Sequence, residues 1–469
     1  MNCTRHFLLK CFLILLGMTA LSICFMQSGM LKSMKGLLES RIGPFLNTNR
    51  SSCSSKGALL TKQHIPQRQL KDILKRRAEE YRQHQLRTRT YFDSLIVVPS
   101  NSPLQYPVTG FTVSPLTKSV IPGLALHAQK REEYQVSLHV KSGVLLVKNA
   151  LVDDKVDGQG QNELNISSTS LSHLNNLLGR VTYTSTTYHI RSSDLVNFSF
   201  ENYEAIFPIM IRRPTVPVLY DPGEDVNSQV TITTKTFLRY RELNVLINSI
   251  RNIYPKIKII IVDDSLNPES VRGDNIEQYI MPPAQGWFAG RNLAVSQVTT
   301  KYFLWVDDDF MFLNGTRIES FVEIMEAIPE LDILGGAVSG DQYYFNFEYE
   351  EGDEEEGGCL KRIKKGYHQP LPGFDGCLLV DGVVNYFLAR TDAVRRVGFD
   401  PFLKRVAHSE FFMDGLGQLM VASCKGLSVG HQKHRSDGKY SSYRSQKKTD
   451  ARKKVYHHFF KNYLKFIKF

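Results

Sequence analysis

From about Asn227 the spacing of apolar residues alternates between two periods. Val230 to Thr236 reads as a buried strand. Arg239 to Tyr254 then places Leu243, Leu246, Ile247, Ile250 and Ile253 on one face of an amphipathic helix, which Pro255 ends. Lys256 to Val262 is a second apolar run, closing in Asp263-Asp264-Ser265. A right-handed crossover makes two such strands parallel, so this stretch predicts one βαβ unit. Gly290-Arg291-Asn292-Leu293-Ala294 predicts the opening of a short helix, and Lys301 to Val306 a third strand.

Upstream the texture differs. Tyr134 to Val140, Val181 to Ile190 and Val196 to Arg212 alternate or run β-branched and aromatic between Gly, Asn and Ser. They predict a β-rich domain, a sandwich, over 91–225. Residues 32–90 are polar and basic, with Lys71 to Arg89 patterned as a charged helix, and predict a stem. Cys11 to Leu31 carry no charge and follow Arg5 and Lys10. Such a segment is long enough to cross a hydrocarbon core of about 30 Å. The basic flank predicts a cytosolic tail over 1–10 and a lumenal remainder. A cleaved signal peptide is the alternative, but Ser28-Gly29-Met30 makes a poor cleavage site. Residues 226–469 are left as a catalytic α/β domain with a basic C-terminal helix.

The chemistry gathers at the ends of the predicted parallel strands, where open α/β sheets bind ligands. Lys301 to Val306 runs directly into Asp307-Asp308-Asp309. On a continued strand Asp307 and Asp309 would share one side and Asp308 the other. Three adjacent carboxylates repel unless a cation or several donors offset them, and a hard divalent ion carrying a phosphate suits them. Free N–H groups at the Gly290 helix start, with Arg291, form a second phosphate-receiving element.

Composition refines this picture in three places. The net charge of +11 is concentrated in His431–Phe469, where twelve Lys/Arg against two Asp give +10. Val455-Tyr456, Phe459-Phe460, Tyr463-Leu464 and Ile467 repeat there at helical spacing. They predict a helix docked on the catalytic core, or alternatively a basic surface facing anionic lipid. A lumenal chain excludes nucleic acid as a partner. Asn49, Asn165, Asn197 and Asn314 begin glycosylation sequons. Of seven cysteines, Cys53, Cys359, Cys377 and Cys424 lie beyond the anchor. In an oxidising compartment they predict disulfides, with Cys53 also able to bridge two subunits of a homodimer.

The order strand-DDS, GRN-helix, strand-DDD resembles the nucleotide-sugar-binding half of a GT-A glycosyltransferase. The runs GWFAGRNLAVSQVTTKYFLWVDDDF (286–310), DGVVNYFLART (381–391), VGFDPFLKRVAHSEFFMDGLG (397–417) and NSPLQYP (101–107) are similar to the β-1,4-N-acetylgalactosaminyltransferases. That family includes the ganglioside synthases and the enzyme of the Sd(a) antigen.

The resemblance implies inverting transfer of GalNAc from UDP-GalNAc to galactose on a Golgi membrane. The acceptor would be sialylated lactosylceramide or, on the Sd(a) side, sialylated lactosamine ends of glycoproteins. An inert lumenal sugar-binding protein on the same fold is a third reading. The resemblance further implies that Asp263 and Asp264 contact uridine, and that Arg291, Asn292 and Asp308 complete the donor site. Asp307 and Asp309 would hold Mn²⁺ or Mg²⁺, with His431 as a third ligand. Glu410 is the expected general base, raised in pKa by burial beside Phe411 and Phe412, with Asp414 in reserve; the competing role for Glu410 is to pair with Arg405 or the tail. Phe345 to Gly358, rich in Glu, is expected to be a solvated, mobile insertion.

Overall fold

The computed structural model describes residues 58–88, 102–221, 223–364, 366–404, 407–433, 440 and 447–468. The expected cytosolic tail, the 11–31 anchor, Asn49, Cys53 and Arg405 lie outside these. No helix among the described residues is long and apolar enough to cross a membrane. The chain divides into two units, one of Arg76–Asp221 and one of Met1–Lys75 with Pro222–Phe469.

The smaller unit is β-rich, as its alternation predicts. A six-stranded sheet, built on the long pair Arg191–Phe200 and Tyr203–Arg212, shares one core with a three-stranded sheet centred on Val181–Ser185. Strand Tyr134–Val140 buries alternate residues, Tyr134, Val136, Leu138 and Val140, so the two-residue period sets which face is the core. A helix, Leu171–Leu178, was not anticipated. Ser170 caps it, and Leu174, Leu177 and Leu178 pin it to the same core.

The larger unit is built on a ten-stranded mixed sheet. Val230–Thr236 pairs in parallel with Lys258–Asp263 on one side and with Tyr302–Trp305 on the other, and Ile276–Ile280 extends the edge. Phe387–Arg390 then runs antiparallel to Tyr302–Trp305. Ile333–Val338 and Val421–His431 follow it. The central strands are buried on both faces, because helices cover them. Helix Tyr240–Ile253 contributes Leu243, Leu246, Ile247 and Ile250 to one core, each worth roughly 1.5–3 kcal/mol of burial.

Three expectations need correction. Residues 59–75 do not belong to a free stem: Leu59–Leu60 pairs antiparallel with a terminal strand, Leu464–Lys468, and buried Thr61 donates to the carbonyl of Leu464 at 2.5 Å. The C-terminal helix is Lys447–Lys461 only. Leu464 and Ile467 belong to the strand after it, which lies parallel to Gly357–Ile363. The acidic stretch is not a loose insertion either. Tyr344–Asp353 and Gly357–Ile363 form a paired hairpin in that same five-stranded sheet. Its charge is partly offset, since Glu356 pairs with Lys62 and Lys465, and Glu348 with Lys361. Cys377 and Cys424 are joined between paired strands, and Cys359 is disulfide-bonded too.

Ile467 is fully buried against Leu360 and Leu464. Ile467→Ala should lower stability by about 2–4 kcal/mol, read as a fall in the denaturation midpoint. An unchanged midpoint would mean that the terminal strand does not complete the sheet.

Candidate active site

Trp305 ends its strand, and Asp307 to Asp309 lie in the tight turn before Phe310–Met311. The two-residue alternation expected for them therefore does not apply. Each carboxylate meets its own partners instead. Asp307 accepts from the Trp305 indole and from the Asn385 amide, both at 3.1 Å. Asn385 in turn accepts from Arg291 at 2.6 Å. Asp308 accepts from the Thr236 hydroxyl at 3.0 Å and faces Arg239 at 3.2 Å. Asp309 lies 2.6 Å from Arg239 and 3.4 Å from His431 Nε2.

This packing of charge shifts Asp307, Asp308 and Arg291. Burial pushes Asp307 up to about 6, against the pull of Arg291. Burial pushes Asp308 up to about 7, against Arg239, with the neighbouring carboxylates adding to the rise. Arg291 is lowered to about 10 by burial, opposed by Asp307. Its guanidinium carbon lies 4.4 Å from the centre of the Trp305 ring, with Trp287, Phe288 and Phe399 also around it. Flat, weakly hydrated Arg tolerates such an aromatic box.

The Trp287–Gln297 helix opens earlier than its sequence suggests. Gly290 is already inside it, donating to the Gly286 carbonyl, so Arg291 acts by its side chain rather than at a free helix end. Gly290 is required for another reason: a Cβ there would lie 2.7 Å from the Lys235 side chain. Lys235 crosses this gap, almost wholly buried, to pair with Asp264. Asp264 also accepts from the Gly286 amide at 2.7 Å. Asp263 accepts from Tyr240, Gln278 and the Ser265 amide. Both aspartates are buried, and their described partners come from the protein. Asn292 pairs reciprocally with the backbone of Phe399, so its amide is committed there rather than to a nucleotide.

A cleft of about 190 Å³ opens beside the acidic turn, lined by Trp287, Phe288, Arg291, Asp307, Asn385, His408 and Tyr440. Of the expected site residues, Arg291 and Asp307 line it. Asp309 and His431 come together because Val421–His431 pairs with Phe310–Met311, placing His431 opposite Phe310. Among the described residues no three His, Cys, Asp or Glu side chains form a ready-made metal group. The Asp309–His431 pair supplies a carboxylate, which suits Mn²⁺, and an imidazole, a common ligand of first-row transition ions. Divalent ions of this kind are commonly held by one or two protein groups and completed by substrate phosphates. The residues therefore fit the ion, with Asp309 and His431 as its holders and Asp307 turned to Trp305 and Asn385.

Glu410 corrects the expectation for its acidity. Burial alone would raise its pKa, but the His458 hydrogen bond and the Lys454 charge outweigh burial and hold it below the ordinary value. Its Oε1 is gripped by Lys454 and lies 3.4 Å from His458, while Oε2 is buried without a hydrogen-bond partner. Asp414 pairs with Lys461 at 2.8 Å. Neither carboxylate lines the cleft. The tail, one of the partners weighed for Glu410, is the one it has. Sequence reasoning passed over Lys235, Arg239, Asn385 and His408. Lys235 and Arg239 carried a usable signal, since both follow the first parallel strand's apolar run toward its carboxyl end.

Asp309→Asn should weaken Mn²⁺-dependent UDP binding at least about tenfold by calorimetry, and His431→Ala should do so in the same direction. Unchanged affinity in both would remove this pair from the ion site.

Residues 231–398 match the model of glycosyl transferase family 2. Over 419 residues the chain is 45% identical to human β-1,4 N-acetylgalactosaminyltransferase 1, covering 84% of this chain and 78% of that protein. It is also 45% identical over 409 residues to mouse β-1,4 N-acetylgalactosaminyltransferase 2, covering 85% and 79%. Among solved structures, that of GalNAc-T7 with UDP, GalNAc and Mn²⁺ aligns at TM-score 0.34 and 12% identity over 45% of this chain and 44% of that one, too slight a likeness to argue from. The mixed sheet, with its acidic turn at the ends of the parallel strands, is the GT-A glycosyltransferase arrangement. On the strength of its close relatives over most of its length, the chain belongs to the β-1,4-N-acetylgalactosaminyltransferase family of enzymes.

Proposed function

We propose that this enzyme transfers GalNAc from UDP-GalNAc, with inversion and in β-1,4 linkage, to the galactose of sialylated lactosylceramide. The observation that carries the reading is the Asp309–His431 pair beside a cleft walled by Arg291 and Asp307. A bound Mn²⁺ or Mg²⁺ would supply Lewis-acid stabilisation of the diphosphate leaving group. Arg239 holds Asp308 and Asp309 in place, so that Asp309 faces His431. Arg291, through Asn385, orients Asp307 in the cleft wall, where a sugar hydroxyl can reach it. The apolar rings of Trp287 and Phe288 give that wall a surface for the sugar ring and exclude water.

Equal identity to a type 1 and a type 2 relative keeps a second acceptor in view, sialylated lactosamine on glycoproteins. The uncharged 11–31 segment and the lumenal sequons support a Golgi membrane enzyme with its catalytic unit in the lumen.

The test is transfer by the full-length, detergent-solubilised chain from UDP-GalNAc with Mn²⁺, with and without chelator. Paired acceptors would be sialylated lactosylceramide and a glycoprotein with sialylated lactosamine ends. Chelator-sensitive transfer to the glycolipid is expected. Transfer to the glycoprotein alone would move the enzyme to the second acceptor, and chelator-resistant transfer would contradict the metal's role.

A further inference from the structure

We propose that Gln432 is the positioning residue that fixes the spacing of Asp309 and His431, the two groups that hold the divalent ion, and so sets the affinity for that ion. The inference rests on the ion site proposed above and adds the part of the chain that builds it.

The approach of Asp309 to His431 depends on a short seam. Phe310–Met311 is a strand of only two residues, paired with the end of Val421–His431 so that Phe310 lies opposite His431. That is shorter than strands usually are, and such a ladder holds little by itself. Gln432, the next residue, extends it, because its backbone N–H donates to the Asp309 carbonyl at 2.9 Å. Its side-chain amide then reaches back over the turn. Nε2 donates to the Phe310 carbonyl at 2.9 Å and to the Glu242 carbonyl at 3.0 Å. An amide nitrogen carries two hydrogens, and both are used. Carbonyls can only accept, so these two partners also fix which end of the amide faces them.

The three bonds gather three elements at one point. Two land on the backbone of Asp309 and Phe310. The third lands in the first turn of helix Tyr240–Ile253, whose start Arg239 caps. Arg239 is the residue that pairs with Asp308 and Asp309. Gln432 therefore ties the acidic turn to the helix start behind Arg239 and to the strand end that carries His431. The His431 N–H is held as well, donating to the Ser339 hydroxyl at 3.2 Å. With both backbones fixed, His431 Nε2 stands 3.4 Å from the Asp309 carboxylate.

A carboxylate and an imidazole hold one ion well only if they converge before it arrives. Ordering them at the moment of binding would weaken the affinity, and partners that orient a ligand in advance remove that cost. Gln432 acts in this way, through the backbone of the ligands.

Gln432→Met keeps the length of the side chain and the backbone bond but removes both side-chain donors. Gln432→Asn keeps an amide that is one methylene too short to reach both carbonyls. In the full-length enzyme with UDP, Gln432→Met should weaken Mn²⁺ binding about 10–100-fold, read by electron paramagnetic resonance titration, with Gln432→Asn changed in the same direction. The Mn²⁺ concentration for half-maximal transfer should rise with the binding constant, while kcat recovers to within about threefold as Mn²⁺ is raised. A merely structural role would instead lower kcat at every Mn²⁺ concentration. Should Gln432→Met not accumulate as folded chain, Gln432→Asn decides on the same two readings. Mn²⁺ affinity within about twofold of the unmodified enzyme would overturn the assignment, and so would a loss of kcat that added Mn²⁺ does not restore. An unmodified enzyme that binds UDP but no Mn²⁺ would overturn the ion site itself, and this assignment with it.

Discussion

Three adjacent carboxylates at the end of a strand, two of them buried, are the constraint around which the larger unit is organised. Unpaired, they would repel and pay heavily for desolvation. The chain separates them by giving each a different set of donors. Asp307 goes to Trp305 and Asn385, Asp308 to Thr236 and Arg239, and Asp309 to Arg239 and His431. Those five donors come from four separate stretches of the sequence, so the turn is completed only when the sheet around it is formed. The βαβ unit supplies Thr236 and Arg239, the Val421–His431 strand supplies His431, and Asn385 just precedes the Phe387–Arg390 strand.

The same economy of charge recurs away from the cleft. Lys235 and Asp264 form a buried pair that only a glycine at position 290 allows to pass. Glu410, buried on the helix behind the cleft, is neutralised by the last helix of the chain. Buried pairs of this kind are modest sources of net stability, but removing one partner leaves an uncompensated charge. Their value here is positional. The C-terminal helix and strand, distant in sequence from every motif, fix the helix that presents His408 to the cleft.

Much of this was legible in the sequence where local period and global fold agree. The first parallel strand, the amphipathic helix after it and the second strand follow directly from spacing, because each buries what its own periodicity exposes. The acidic clusters also marked the correct edge of the sheet. What was not legible depended on residues far apart in the chain. Asp307 to Asp309 read as a strand because apolar residues precede them, yet the strand ends at Trp305 and the backbone turns at the aspartates themselves. Leu464 and Ile467 continue a helical spacing, but an open edge at Gly357–Ile363 draws them into a strand. The acidic hairpin looked mobile because its partners, Lys62 and Lys465, lie at opposite ends of the sequence. Glu410 looked like a base because burial was foreseeable and Lys454 was not.

The central claim is that this sorting of carboxylates leaves Asp309 and His431 to hold a divalent ion together. Electron spin echo spectroscopy of Mn²⁺ bound to the full-length enzyme with UDP reads it directly. The account predicts nitrogen modulation from a coordinated imidazole that disappears in His431→Ala. Mn²⁺ bound with UDP but showing no histidine nitrogen would contradict it.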